Sequence, residues 1–193
     1  MAADTESPWT ERESELLAVT LQLLRQHGYD RLSVEAVATQ AKASKSTVYR
    51  RWPSKADLVL AAFIEGTRCS AMAPGTGSLR TDLLAIGAGV CGQAEDHAST
   101  MSAVFHEMTR NPDLRAAMQN GFIYPRKLVI DQVLSAAVER GEIDAPLEPE
   151  IYDLLPGYLV FRALVSGRPP TEETVRVLVD TVLLPSLGWR GQG

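Results

Sequence analysis

The sequence predicts an all-α protein, with a small N-terminal group of helices followed by a larger helical part. Apolar residues recur three and four positions apart through most of the 193 residues, which is the period of a helix with one buried face. Segments with this period are repeatedly preceded by N-capping residues and followed by glycine or proline. Because no strand-like alternation of useful length occurs, helices carry the predicted fold.

Residues typical of helix ends predict where the first two helices begin and end. The first helix opens between Pro8 and Glu15 and ends at Gly28, which suits a left-handed C-terminal residue. Ser33 is the predicted N-cap of a short second helix, "SVEAVATQA", with Glu35 in the first turn, where the helix dipole favours an acid.

Two further helices follow at once. Ser44 is the predicted N-cap of "SKSTVYRRW", and Pro53 stops that helix. Ser54 opens a fourth helix with a capping box in which Asp57 replaces the usual Glu. The loop "SAMAPGTGSLR" then separates two predicted domains, one over 9–70 and one over 78–190.

The second domain is predicted to contain longer helices, at about 79–95, about 99–110, Pro112 to about Arg140, about 149–166 and about 172–187. Asn111 and Thr171 are their clearest N-caps, and Gly188 is the final stop. Pro125 lies inside the long third element and should kink or break it.

Composition narrows the class of protein. A hydrophobic fraction of 45% indicates a folded chain, and 19 basic minus 24 acidic residues give a net charge of −5. Cys69 and Cys91 form no CxxC or Cys/His cluster, so we expect neither a disulfide framework nor a metal site. The polar, acidic start resembles no signal peptide and no apolar run suggests a membrane span, so we expect a cytoplasmic protein without a membrane partner.

One segment departs from the acidic average. Positions 40–55 hold five basic residues and no Asp or Glu. These basic residues are Lys42, Lys45, Arg50, Arg51 and Lys55. A local patch can bind a polyanion on an acidic protein, because salt screens charges beyond about 8–10 Å. Alternatively, the patch is an ordinary solvated helix face.

The spacing of the second and third helices favours the interpretation that this basic patch binds a polyanion. "SVEAVATQ-AKA-SKSTVYRRW" is a short helix, a tight turn and a second short helix, which is the helix-turn-helix plan. Val34, Val37, Ala38, Ala41, Val48 and Trp52 can form the packed side, against Leu17, Leu21 and Leu24 of the first helix. Lys45, Ser46, Thr47, Tyr49 and Arg50 would face outward, where they could reach phosphates and base edges.

Residues 11–64 resemble the N-terminal domain of TetR-type (tetracycline repressor family) transcriptional regulators. The resemblance is carried by Leu16-Leu17, Gly28-Tyr29, Ser33-Val34, Val37-Ala38, Ala41, "SKSTVYRRW" and "SKADL". The all-helical remainder is more loosely similar to the ligand-binding and dimerising part of that family. The resemblance therefore implies a repressor that binds a palindromic operator in double-stranded DNA as a homodimer and is released by a small molecule.

Residue roles follow from the resemblance by position. Ser44, Thr47, Tyr49 and Lys55 would hold the DNA backbone, and Lys45, Ser46 and Arg50 would touch bases. Lys42 departs from the glycine that the family commonly has in the turn, where φ is positive. We expect Lys42 to adopt this strained conformation and to add a phosphate contact.

Two apolar regions of the second domain have predicted roles. The last two helices hold more apolar residues than one core face needs, and the predicted dimer interface contains Leu155, Tyr158, Leu159, Arg162, Val175, Leu178, Val179 and Val182. The central helices carry the predicted ligand pocket, at Met101, Phe105, Met108, Phe122 and Tyr124. Both sets could instead be ordinary monomer core, and the existence of a pocket is implied by the family.

Catalysis is not expected. His27, His97 and His106 lie on different predicted helices without metal-ligand spacing, and no phosphate-binding glycine loop follows a strand. We expect no cofactor. The competing function is a helical ligand-binding or protein-interaction module that has kept the fold without sequence-specific DNA binding. The acid-free basic segment argues against this alternative.

Overall fold

The structure is a computed structural model that describes residues 7–68, 73–145, 148 and 150–191, without the side chains of 93–96 and 99. Regular structure over these ranges is entirely helical, which confirms the predicted all-α class. The helices are α1 (Glu11–Arg31), α2 (Val34–Gln40), α3 (Lys45–Arg51), α4 (Lys55–Gly66), α5 (Leu79–Met108), α6 (Pro112–Met118), α7 (Tyr124–Glu139), α8 (Ile151–Leu164), α9 (Glu172–Leu178) and α10 (Leu184–Ser186). Two π-helical turns, Gln119–Ile123 and Val179–Leu183, precede α7 and α10.

The described chain divides into two compact units. The first unit combines the residues up to 68 with 99–123, and the second combines 73–98 with 124–191. The first unit therefore contains α1–α4, the last part of α5 and α6. The second contains the first part of α5 and all helices from α7 onward.

The predicted core of the N-terminal helices is confirmed. Leu17, Val37 and Val48 are fully buried, and Trp52 is 4% exposed. Burial of one apolar face on each of α1, α2 and α3 packs these helices together, and the seven-residue α2 and α3 need this packing because helices of that length are marginal alone.

The N-caps predicted at Ser33, Ser44, Ser54, Asn111 and Thr171 are all present, each accepting a hydrogen bond from the backbone N–H three residues on. The Ser54–Asp57 capping box is also confirmed. Gly28 has the predicted left-handed φ of 76°. The helix does not end there, however, because helical residues follow Gly28 as far as Arg31.

The predicted interruption between about 95 and 99 is wrong, since α5 runs unbroken from Leu79 to Met108. The intervening "EDHAST" contains no proline and no glycine, so nothing in its backbone forces a helix to end. Serine and threonine can serve as caps, but they are also tolerated within helices, which is why they are weak boundary signals.

Pro125 is accommodated by a π-helical turn. It is the second residue of α7, directly behind Gln119–Ile123. Because proline has no N–H to donate to the preceding turn, a widened turn at this point loses little helical hydrogen bonding. The helical path continues through Pro125 without an irregular break.

The second unit has an apolar core. Among the described residues, fifteen buried ones from α5, α7, the turn after α7, α8, α9 and the C-terminal turns belong to it, including Leu134, Leu159 and Val179. Among the described residues, no helix is both long and apolar enough to cross a bilayer.

Candidate nucleic-acid interface

The turn between α2 and α3 is tight and left-handed at Lys42. Its φ of 52° makes Lys42 a non-glycine residue in the region that favours glycine, which confirms the expected conformation. The Lys42 N–H donates to the Thr39 carbonyl at 3.2 Å, and the Ala43 N–H donates to the Ala38 carbonyl at 2.8 Å. These two bonds close α2 and direct the chain into Ser44.

Three hydroxyl groups meet at the beginning of α3. The Ser44 Oγ accepts from the Thr47 N–H at 3.1 Å and lies 2.7 Å from Thr47 Oγ1 and 2.9 Å from Ser46 Oγ. All three side chains are exposed. Ser44 therefore caps α3 and also presents, with its two neighbours, a group of donors and acceptors to solvent.

Lys45 has a partner that the sequence did not reveal. Its ammonium group forms an ion pair with Glu35 of α2 and lies 5.6 Å from the centre of the Tyr49 ring. The hydrogen bond from Lys45 lowers the pKa of Glu35 and, reciprocally, raises the pKa of Lys45. Glu35 thus places one negative charge beside the outward face of α3.

Arg50, Tyr49 and Lys42 lie on the exposed side of the motif. Tyr49 is 38% exposed, and the Arg50 and Lys42 side chains are exposed. Within the described part of the chain, neither the Arg50 guanidinium nor the Lys42 ammonium has a hydrogen-bond or ion-pair partner. Both positive groups are therefore available to an anion.

Lys55 is the first residue of α4 and is held in place by two residues in the last turn of α1. Its Nζ lies 4.3 Å from the centre of the Tyr29 ring and donates to the Asp30 carbonyl at 3.4 Å. The ring and the carbonyl oxygen both attract the cation, so Lys55 projects a defined positive charge near the start of α4.

The predicted pocket residues occupy different environments. Met101 is buried, Phe105 and Met108 are half-buried, and Tyr124 is 61% exposed. Phe122 lies in the first π-helical turn, and its ring centre is 5.0 Å from that of Phe63 in α4. A small apolar cavity in the second unit is lined by other residues, namely Leu83, Ile130, Leu134, Ile151, Leu155, Leu183 and Leu187.

The predicted dimer residues divide into two groups. Five of them are at most 8% exposed within the single chain: Leu155, Leu159, Val175, Leu178 and Val179. Since these residues already pack in the core of the second unit, a partner would remove little water from them. Arg162 is half-buried, while Tyr158 and Val182 are 40% and 42% exposed. The exposed apolar neighbours Leu154, Phe161 and Val165 also lie on α8 or at its end, and sequence reasoning did not single out Val165.

Metal-ligating clusters are not found within the described ranges. Cys91 is half-buried and unpaired, and burial raises the pKa of its thiol, which disfavours the reactive thiolate. The side chains suited to binding an anion are therefore those on the polar and basic face of α3 and at the start of α4.

Family models match both parts of the chain. Residues 16–62 match the model described as "Bacterial regulatory proteins, tetR family", and residues 73–182 match "Tetracyclin repressor-like, C-terminal domain". The first range contains α2, α3 and the Lys55 end of α4, and the second covers more than half of the protein.

Individual relatives agree with these matches. An uncharacterised HTH-type transcriptional regulator of Mycobacterium tuberculosis is 59% identical over 182 residues, which is 94% of this chain and 90% of the relative. A DNA-binding transcriptional repressor TetR of Mycobacteroides abscessus is 36% identical, covering 90% of this chain and 92% of its own. The crystal structure of a TetR family transcription regulator superimposes with a TM-score of 0.81 at 27% identity, covering 92% of this chain and 98% of that one.

Proposed function

Because the chain belongs to the TetR family of transcriptional regulators, a family of helix-turn-helix DNA-binding proteins and not of enzymes, we propose that α3 is the helix that reads its operator. The exposed face of α3 carries this proposal, since Ser46, Tyr49 and Arg50 all point to solvent there while Val48 is fully buried. A helix so oriented can enter the major groove with its polar side toward the bases.

The exposed side chains form two groups, one proposed to contact bases and the other proposed to contact the DNA backbone. By their positions in the family motif, Lys45, Ser46 and Arg50, which are exposed on α3, are assigned to base edges. Lys42, Ser44, Thr47, Tyr49 and Lys55 contact the DNA backbone from the turn, from α3 and from the start of α4. A bidentate Arg or Lys contact to guanine contributes about 1–3 kcal/mol of discrimination, whereas phosphate contacts raise affinity with little sequence preference.

The operator is a palindrome bound by a homodimer. One seven-residue α3 spans few base pairs, so two copies related by a two-fold axis supply the remaining specificity. The exposed apolar residues Tyr158, Phe161 and Val182 support a self-association surface formed by α8 and the turn after α9. We place the protein in the cytoplasm, where the DNA is.

A small molecule releases the repressor by favouring a conformation that fits the operator less well. Met101, Phe105, Met108 and Phe122, which all belong to the first unit, form its proposed site. Support comes from the first π-helical turn: Phe122 packs against Phe63 of α4, and a Cβ on Gly121 would approach Ile64 Cδ1 to 2.8 Å. Because α4 begins at Lys55, a shift of this turn would be transmitted along α4 to a DNA contact.

The proposal is tested by measuring binding to random and to in-vitro-selected duplexes over a salt series. We expect affinity to fall steeply with salt, with a logarithmic slope of about −0.9 per phosphate contacted. Tyr49→Phe and Lys55→Ala should weaken binding to both duplexes alike, whereas Arg50→Ala should reduce the preference at particular bases. Absence of binding at low salt would refute the function. An unchanged base preference in Arg50→Ala would refute the role of Arg50.

A further inference from the structure

α3 has little apolar packing of its own to hold it in position. It is seven residues long, and Val48 is its only buried residue, followed by Trp52 at the C-cap. A helix of this length is not stable alone in water, so its orientation depends on contacts made by the rest of the protein. Residues 9–13, at the start of α1 and just before it, supply contacts at the C-terminal end of α3 and at the turn that precedes α3.

At the C-terminal end of α3, Arg51 is turned toward α1 and held on two sides. Its Nε donates to Glu13 Oε1 at 2.7 Å, and its guanidinium carbon lies 4.8 Å from the centre of the Trp9 ring. The Trp9 ring centre is in turn 5.7 Å from that of Trp52, with 50° between the planes. An ion pair, a cation–π contact and an aromatic pair thus join residue 9, residue 13 and the end of α3.

At the other end, Arg12 reaches the turn before α3. Its guanidinium donates to the carbonyl of Ala41 and, at 3.1 Å, to that of Lys42. Charge-assisted hydrogen bonds of this kind are stronger than neutral ones. Arg12 therefore stabilises the same turn that the left-handed Lys42 strains, and it is itself held by Glu15 at 2.5 Å.

Glu13 is fixed by a second set of contacts that is separate from Arg51. Its Oε2 accepts from the Thr10 N–H at 2.9 Å and from Thr10 Oγ1 at 3.1 Å, and its own N–H donates to Thr10 Oγ1 at 3.3 Å. One carboxylate oxygen thus completes the α1 capping box, and the other holds Arg51. The Thr10 backbone N–H, followed by the Thr10 hydroxyl and Arg51, lowers the pKa of Glu13 despite its partial burial.

We infer that residues 9–13, at the start of α1 and just before it, are a brace that sets the position of α3 on DNA, with Glu13 and Trp9 holding Arg51 and with Arg12 holding the Ala41–Lys42 turn. Arg51 is then a positioning residue and not a DNA contact, although it belongs to the basic segment. Trp9, Arg12 and Glu13 all precede residue 16, where the match to the N-terminal family model begins. The inference rests on the proposed placement of α3 in the operator.

Glu13→Gln is the decisive variant, because glutamine preserves the capping box while it removes the charge that holds Arg51. We expect affinity for an in-vitro-selected duplex to fall about tenfold, near the lower limit for losing one base contact. Affinity for a random duplex should change less than about twofold, since the phosphate contacts remain. The selectivity between the two duplexes should therefore fall.

The opposite result follows if Arg51 contacts a phosphate. Glu13→Gln would then release Arg51 and remove a negative charge, so that both duplexes would bind more tightly and the salt dependence would steepen. That outcome, or unchanged selectivity, would overturn the inference. If the unmodified protein bound neither duplex, the proposed function would fail and the inference with it. Normal binding with unchanged selectivity in Glu13→Gln would overturn the inference alone.

Two control variants separate position from stability. Asn111→Ala removes the N-cap of α6, outside the brace, and should lower the thermal midpoint while leaving the selectivity unchanged. In an Arg51→Met background, Glu13→Gln should leave the selectivity unchanged, because the ion pair is already broken. A further loss of selectivity in the double variant would mean that Glu13 acts independently of Arg51, and the brace would be refuted.

Discussion

Two carboxylates, one in each unit, join distant parts of the chain in contrasting surroundings. Glu13 holds an Arg51 side chain that is 50% exposed, at a helix that buries one residue. Glu142 is 6% exposed and accepts from the Leu79 N–H at 2.9 Å, from Trp189 Nε1 at 3.3 Å and from Arg140 Nε at 2.5 Å.

The difference in burial indicates that the two carboxylates have different roles. Water can replace the partners of Glu13, so losing that ion pair should alter orientation more than stability. The Leu79 N–H that Glu142 accepts from is fully buried, so losing the carboxylate would leave that donor without a hydrogen bond. Among its described residues, the second unit also has a cluster of fifteen buried apolar residues, whereas α3 buries only Val48.

The largest expected effect is therefore that of Glu142→Ala. Removing the carboxylate leaves the buried Leu79 N–H without its acceptor and separates Trp189 and Arg140 from it, which should lower the free energy of unfolding by about 3 kcal/mol. Urea denaturation measures this value. Glu139→Ala, at an exposed position of α7, is the matched control and should change stability by less than about 0.5 kcal/mol.

Acid should weaken the Glu142 contacts selectively. Burial raises its pKa, but Arg140, the Leu79 N–H and Trp189 outweigh that effect, so the pKa of Glu142 lies below its usual value. A depressed pKa contributes stability above the unfolded-state value and loses it as pH falls through the folded-state value. The stability of Glu142→Gln should consequently fall less steeply below about pH 5 than that of the unmodified protein. Equal slopes in the two proteins would contradict the role of this carboxylate.

Packing in the apolar core of the second unit is tested by alanine substitutions at two glycines of α5. A Cβ on Gly87 would approach Val175 Cγ1 to 2.3 Å, whereas a Cβ on Gly89 would meet nothing within 4 Å. Gly87→Ala should cost about 2 kcal/mol by overpacking, and Gly89→Ala should stabilise by up to about 1 kcal/mol through helix propensity. Thermal unfolding of the two variants compares them directly. The same sign for both would show that the contact with Val175 relaxes easily.

Contacts close in sequence were predictable, and distant ones were not. Ser44 and Ser54 cap helices within three residues, so their roles follow from local spacing. The Thr10–Glu13 capping box has the same local signature, so sequence reasoning could have found it. No pattern pairs Glu13 with Arg51, 38 positions apart, because that contact depends on how the helices pack.

The helical period of the apolar residues predicts which face of α3 is buried. It does not predict which charged residues of other helices lie beside the exposed face. Val48 is buried, and Lys45 and Arg50 are exposed, as the apolar spacing indicates. Glu35 lies on α2, and its contact with Lys45 requires the exact angle of the turn at Lys42. The prediction that Lys42 would be left-handed came from the family resemblance and is confirmed by its φ of 52°.

A smaller effect is expected from Glu35→Gln, which tests whether an exposed carboxylate limits DNA binding. Because Lys45 is proposed to contact a base edge, releasing it from Glu35 should raise affinity for a selected duplex about fivefold and for random duplexes by less than about twofold. Fluorescence anisotropy measures both affinities. In a Lys45→Met background the Glu35→Gln change should have almost no effect, since the pair is already broken. An equal effect in both backgrounds would assign Glu35 a role independent of Lys45.

The smallest expected effect is that of Lys42→Gly, at the turn held by Arg12. Glycine relieves the left-handed strain of about 1 kcal/mol but gains unfolded-state entropy, so the free energy of unfolding should rise by only about 0.5 kcal/mol. Loss of one phosphate contact should weaken binding to random and selected duplexes alike, by about two- to threefold. Urea denaturation and duplex titration measure the two effects. A rise in both stability and affinity would refute the phosphate contact, and Lys42 would then contribute only its backbone to the turn.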